Sequence, residues 1–233
     1  MSAEPTAPYA RLLVLGDVHA EADAVRHVMS YAREHLTVDA SLCVGDIVDG
    51  MGDADDTLVA LREHGVVCVA GNHERWFLHD EMRHLKNVTP SLTAENRAML
   101  EQLPRTLRLP TVAGGALLCH AVGDDDETFL RSTTRGYDLQ INALRELMLD
   151  PDVDFMLAGH THERMVRRFQ GLVVVNAGTL RRDDDPGFVV VDFERMLVRC
   201  FDIADLGADI REVDSVPLPR PLPVPSLRDD DLY

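Results

Sequence analysis

The sequence predicts an α/β fold, a four-layer αββα sandwich in which two mixed sheets are flanked by helices. Strand-like and helical segments alternate through the first half of the chain, as they do where parallel strands are joined by crossover helices. The second half carries paired apolar runs around glycine-containing turns, the mark of antiparallel hairpins. Hydrophobic residues make up 45% of the 233 residues, enough to bury the core of one medium domain.

Residues 1–10 are small, polar and proline-containing, and read as a loose, flexible arm ahead of a domain at 11–215. Residues 11–16 form an apolar run of strand length, 20–34 a helix, 40–45 a strand, 54–64 a helix and 66–71 a strand. Residues 93–103 read as a helix closed by Pro104. Residues 106–112 and 116–120 flank Gly114-Gly115 as a hairpin, and the amphipathic stretch 137–149 reads as a helix stopped by Asp150-Pro151. A strand at 155–159 follows, then a hairpin of 165–169 and 172–176 about Gln170-Gly171. The last expected pair is 188–193 with 196–201. This order implies a mainly parallel first sheet and a more antiparallel second one. Residues 216–225 alternate with prolines and the chain ends in Asp229-Asp230-Asp231. The stretch 216–233 is therefore expected to be an extended acidic tail, either solvated or docked on a neighbouring subunit of a homo-oligomer.

The 23 basic and 40 acidic residues give a formal charge of −17, which argues against a general nucleic-acid binder. Four scattered cysteines, with no CxxC pairing, read as reduced core thiols. Neither a signal peptide nor an apolar run of bilayer length is visible, so the expected location is the cytoplasm, with no membrane partner.

Six short segments place a metal-binding side chain just after an apolar run. They are Gly16-Asp17-Val18-His19, Gly45-Asp46-Ile47-Val48-Asp49, Gly71-Asn72-His73-Glu74, Cys119-His120, Gly159-His160-Thr161-His162 and Asn176-Ala177-Gly178-Thr179. A glycine at a strand end lets the backbone turn sharply and presents the next side chain at the sheet edge. Asp, His and Asn gathered along the carboxyl-terminal edge of the strands make an oxygen and nitrogen cage suited to a pair of divalent transition metals. Each segment alone is a weak signal, and the strength lies in their order and in the strand-end setting of each.

That order resembles the calcineurin-like metallophosphoesterases, in their small phosphodiesterase and phosphatase branch. The family pattern GDxH, GDxxD, GNH(E/D), a lone His, GHxH and an Asn-containing turn runs here from Asp17 to Thr179. The resemblance implies that Asp17, His19 and His162 hold one metal and Asn72, His120 and His160 the other, with Asp46 shared. Manganese is the expected ion, with Fe, Zn, Co and Ni as alternatives. The implied reaction is hydrolysis of a small phosphate monoester or diester by a hydroxide held between the cations. His73 would protonate the leaving group with Asp49 orienting it. The alternatives are a rim hydrogen bond for His73 and a loop cap for Asp49. Glu74 is expected to cap a helix starting near Arg75, and Asn176 and Gly178 to shape the edge of the site.

Gly50 stands where protein phosphatases of the superfamily carry Arg, and Ala121 where Gly commonly follows the lone His. Residues 122–136 read as a lid, with Asp124-Asp125-Asp126 as a solvated face. Arg75, Arg131, Arg135 and Arg181 are the candidates to meet a phosphate, against the plainer reading of surface charges. A phosphoprotein or dinucleoside polyphosphate phosphatase is the alternative activity, and a non-catalytic scaffold the alternative class.

Overall fold

In the computed structural model, residues 7–204 and 209–224 are described. Strands β1 (Arg11–Leu15), β2 (Ala40–Cys43) and β3 (Val67–Cys68) alternate with helices α1 (Ala22–His35), α2 (Ala54–Glu63) and α3 (Asn72–His79). Helix α4 (Ala94–Glu101) leads to β4 (Thr106–Thr111) and β5 (Gly114–Cys119). Helix α5 (Asn142–Leu149) leads to β6 (Phe155–Ala158), β7 (Met165–Arg168) and β8 (Val173–Asn176). Strands β9 (Gly187–Asp192), β10 (Leu197–Ala204) and β11 (Asp209–Pro217) complete the fold.

Two mixed sheets result, ordered β11-β10-β9-β1-β2-β3 and β4-β5-β6-β8-β7. Alternation of side chains along β1 explains how they stack. Leu12 and Val14 face the second sheet, packing with Leu118, Phe155, Leu157 and Val175. Leu13 and Leu15 face the other way, into a cluster holding Val25 and Val28 of α1, Leu58 and Leu61 of α2 and Leu100 of α4. On the far side, Leu117, Met156 and Val174 of the second sheet pack against Leu144 and Leu147 of α5. The central strands of both sheets are thus buried on both faces, which is why they read as unbroken apolar runs. The four-layer αββα sandwich is the observed architecture.

Several details differ from the sequence reading. The last antiparallel pair joins the first sheet, because β9 pairs antiparallel with β1. Both sheets therefore mix directions. The expected helix at 137–149 breaks into a 3-10 turn, Gly136–Leu139, and the shorter α5. Tyr137 is exposed, so of that turn Leu139 alone packs on the apolar cluster. Strand β11 was not foreseen. It is a mostly exposed edge strand paired on one side with β10, and its residues carry no apolar alternation.

The expected boundary at 215 falls inside β11, which ends at Pro217. Beyond it the chain stays on its own domain: Leu218 is buried between the sheets, and Leu222 exchanges backbone hydrogen bonds with Phe169 and Gly171. Residues 225–233 of the expected tail lie outside the described residues. At the other end, Tyr9 of the expected arm bonds to the backbone of Pro110 and Val112. Cys43, Cys68 and Cys119 are buried and Cys200 half-buried, all four as free thiols.

Candidate metal centre

Strands β1, β2 and β3 run parallel in one sheet, and β5, β6 and β8 run parallel in the other. Their carboxyl ends meet at one edge of the sandwich, and the turns leaving them carry the polar side chains. Asp17 and His19 follow β1, Asp46 and Asp49 follow β2, Asn72 and His73 follow β3, His120 follows β5, and His160 and His162 follow β6.

The turns are tight. His19, Asp46, Asp49, His160 and His162 all have positive φ, between 47° and 68°, a conformation side chains other than Gly seldom adopt. Such backbone persists only where neighbours over-determine it, and it concentrates at functional sites. Glycine is required by close approach at several of these turns, Gly71 and Gly50 among them. A Cβ on Gly71 would strike Asp46 Oδ1 and the His120 ring, and one on Gly50 would strike the carbonyl of His19. An arginine at position 50 is sterically excluded.

Glu74 fixes the Asp46 turn from below. Its fully buried carboxylate accepts from the N–H groups of Asp46 (2.8 Å), Ile47 (2.7 Å) and Val48 (3.1 Å), and from Gly71 (2.7 Å) at the start of α3. It caps the helix as expected, although the helix begins at Asn72 rather than near Arg75. The carboxylates also bind the opposing turns: Asp17 accepts from His160 N–H at 2.8 Å, and Asp46 Oδ1 from His73 N–H at 3.0 Å. That leaves Asp46 Oδ2 facing inward, 3.3 Å from His120 Nε2 and 3.9 Å from His19 Nε2 and His73 Nε2.

The imidazoles follow one rule. Each has one nitrogen tied to an acceptor and the other turned to the centre. His19 Nδ1 bonds to the carbonyl of Asp49 (2.7 Å), His120 Nδ1 to the carbonyl of Val44 (3.0 Å), His160 Nε2 to the carbonyl of Glu127 (2.9 Å) and His162 Nδ1 to Asp184 Oδ2 (2.8 Å). Since those partners only accept, the tied nitrogens carry protons, and a second proton on any ring sits on its inward nitrogen, where a metal would otherwise bind. The inward nitrogens then lie 3.2 Å apart in two pairs, His19 with His162 and His120 with His160. His120 Nε2 also lies 2.8 Å from Asn72 Oδ1. Lone pairs facing at that distance repel unless a proton or a metal cation sits between them. Asp17, His19 and His162 form one group whose ligand atoms lie within 4.8 Å of one another, Asp46, His120 and His160 form a second, and His19, Asp46 and His73 a third. This donor set suits divalent transition metals.

In the metal-free protein, protons on two of the rings take the place a cation would fill. Burial disfavours the charged form of His120, yet Asp46, Asp17 and Glu74 outweigh it and push the pKa up to about 10. Burial likewise opposes charge on His162, but Asp17 and Asp184 raise it to about 9. His19 and His160 are held below the usual range, chiefly by burial. Asp46 is depressed well below the carboxylate range: burial opposes this, and His120 and His73 prevail.

His73 sits at the rim, with Nδ1 donating to Asp49 Oδ2 at 2.9 Å. Burial works against its charged form, but Asp46 and Asp49 raise its pKa above the ordinary value. Asn176 braces the β6 turn by donating to the carbonyl of Gly159 and to Thr161 Oγ1, and touches no inward nitrogen.

Of the four arginines, Arg181 alone lines the cleft of about 360 Å³ over the centre, and Asp183 grips its guanidinium at 2.6 and 2.9 Å. Arg131 lines a neighbouring hollow and pairs with Glu163. Arg75 is engaged by Asp126, Glu127 and Glu81, and Arg135 bonds to the carbonyls of Ser132 and Thr134. The acidic run is correspondingly less solvated than expected: Asp126 holds Arg75, and Asp125 accepts from the N–H groups of Glu127 and Thr128.

Three features had no sequence signal separable from ordinary surface charge. Asp184 backs His162, Arg83 and Thr89 hold Asp49, and Lys86, the chain's one lysine, lines the cleft.

Comparison with known proteins adds the lineage. The family model for the calcineurin-like phosphoesterase superfamily domain matches residues 11–196. No curated protein matches the chain in sequence. Among solved structures, a hypothetical protein, PH1004 from Pyrococcus horikoshii OT3, superposes with a TM-score of 0.63 at 15% identity, over 84% of this chain and 88% of that one. A metallophosphoesterase from Sphaerobacter thermophilus gives 0.57 at 20% identity, over 79% and 84%. Wild-type Vps29 from Entamoeba histolytica, complexed with Zn, gives 0.52 at 16% identity, over 90% and 99%. At these identities the likeness establishes the shared fold. No helix among the described residues is long and apolar enough to cross a membrane.

Proposed function

The chain belongs to the calcineurin-like phosphoesterase superfamily, and from that membership we propose that it hydrolyses a small phosphate monoester or diester at a pair of divalent cations. The supporting observation is the set of four imidazoles, each tied at its far nitrogen and turning its near one to the centre, gathered round Asp46 Oδ2. In this reading Asp17, His19 and His162 hold one cation, Asn72, His120 and His160 the other, and Asp46 is shared. Manganese is the first choice, and Fe, Zn, Co or Ni suit the same donors. Such a pair supplies Lewis acidity to the phosphoryl oxygens and a nucleophile from water near neutral pH.

The chain's own side chains do the rest. His73 carries a proton on Nε2, kept there by the carboxylate of Asp49 on its other nitrogen, and delivers it to the departing alkoxide. Arg83 and Thr89 hold Asp49 in place for that task. Arg181 at the rim is the arginine positioned to meet a phosphoryl oxygen, once it leaves Asp183. The four free thiols are consistent with a reducing compartment, and we read the protein as cytoplasmic.

The test is a panel of nitrophenyl phosphate, bis-nitrophenyl phosphate, a dinucleoside polyphosphate and a phosphopeptide, each assayed with several divalent metals. Metal-dependent turnover abolished by Asp46→Ala is the expected result. Preference for the polyphosphate or the phosphopeptide would select the alternative phosphatase activities. No turnover with any metal would leave the scaffold reading.

A further inference from the structure

Beside the histidines lies a second hollow, of about 660 Å³, that the phosphoryl chemistry does not use. Trp76, Met82 and Phe129 line it, with Glu81, Glu127 and His160 at its margins. Trp76, Phe129 and His160 also line the cleft over the metal-binding side chains, so the two spaces meet along these residues. Phe129 is 55% exposed and Met82 40% exposed. Single exposed apolar side chains need no explanation, but two gathered with the half-buried Trp76 round one hollow beside a polar site do.

The rings are held in place. Trp76 Nε1 donates to Glu127 Oε1 at 3.1 Å, and its ring lies 4.6 Å from that of His73. The Phe129 ring lies 4.5 Å from that of His160, with the Arg131 guanidinium 5.5 Å from its centre. One aromatic face therefore stands beside the proposed acid and the other beside the second ligand group.

We propose that this hollow receives the organic half of the substrate and takes a flat, uncharged aromatic group, a nucleobase, which makes the substrates nucleoside phosphate esters. This rests on the phosphoesterase reading above. Shape supports it, because indole and phenyl faces favour offset stacking on another planar ring, and every base presents such a face. Charge supports it as well. The cations beside the hollow are matched, Arg75 against Asp126, Glu127 and Glu81 and Arg131 against Glu163, so the wall is acidic in balance and disfavours a second phosphate or a phosphopeptide tail. Position is the third support. Trp76 stands on the side of His73, so an alkoxide protonated there carries its substituent toward the indole.

Trp76 is the chain's one tryptophan, so its fluorescence reports on the hollow directly. Manganese-loaded protein is titrated with adenosine 5′-monophosphate and, separately, with ribose 5-phosphate. Saturable quenching by the nucleotide and none by the sugar phosphate is expected. Phe129→Leu, which keeps apolar bulk on His160 but removes the flat face, should weaken nucleotide binding on the order of tenfold, and Phe129→Tyr should restore it. Phe129 is largely exposed, so neither change disturbs the core. Equal responses to the two phosphates, or leucine binding as tightly as phenylalanine, would overturn the subsite. Quenching by the nucleotide with no hydrolysis of any ester would support the subsite while removing the proposed reaction, so the two failures are distinct.

Discussion

His73 Nδ1 lies 2.9 Å from Asp49 Oδ2, and Asp49 is fixed in turn by the Thr89 N–H at 2.6 Å and by Arg83 at 3.3 Å. The carboxylate thus meets the His73 ring on one side and the loop at Thr89 on the other, the arrangement the proposed orienting role needs, and His73 Nε2 is the ring nitrogen left toward the cleft.

A leaving group of high pKa needs that proton, whereas nitrophenolate departs without help. His73→Ala is therefore expected to lower kcat on an alkyl phosphate ester by on the order of 10²–10⁴-fold and on a nitrophenyl ester far less. Comparing kcat on the two esters checks this. Equal losses on both would remove His73 from the acid role.

Glu74 makes a different kind of contribution. Its buried carboxylate satisfies four backbone N–H groups that nothing else reaches. Glu74→Gln turns an amide donor toward those donors, at a cost of about 3 kcal/mol. For a chain of this size the melting temperature should fall by roughly 6–12 °C, measured by calorimetry. Metal affinity should fall too, because the Asp46 turn loses its floor.

Asp184 holds His162 from behind, 2.8 Å from Nδ1. Carboxylates in that position fix the ring orientation and strengthen the ligand, and losing one typically weakens metal binding by about 10–100-fold. Asp184→Ala should show this in a manganese titration, while thermal stability without metal stays near wild type, since Asp184 is largely exposed. Unchanged affinity would make the contact incidental.

Protons compete with metal in this centre. With pKa values near 10 for His120 and near 9 for His162, both rings are charged at neutral pH without metal. Each cation must therefore displace about one proton, so affinity rises with pH and falls as pH drops. Between about pH 6 and 8 the gain should be near tenfold per unit for each ion. Calorimetry in buffers of different ionisation enthalpy counts the released protons. Affinity independent of pH would contradict this charge assignment.

How much was legible in advance depended on local signals. The side chains that converge at the sheet edge each follow an apolar strand and sit in a tight turn, so order and setting announced them. Arg75 could not be judged that way. The acids that occupy it come from residues 81, 126 and 127, and only the folded chain brings them to it. Asp184 and Arg83 lie in loops without periodicity, where a charge resembles any solvated charge. Strand β11 was missed because an exposed edge strand needs no apolar alternation, and Leu218 and Leu222 were hidden among prolines that suggested a free tail.

The central claim is that two cations share Asp46. Anomalous scattering from crystals of the manganese-loaded protein tests it most directly. The account predicts two peaks about 3.5–4 Å apart, both within bonding distance of Asp46 Oδ2, one beside Asp17, His19 and His162 and the other beside Asn72, His120 and His160. A single peak, or two that do not both reach Asp46, would contradict it.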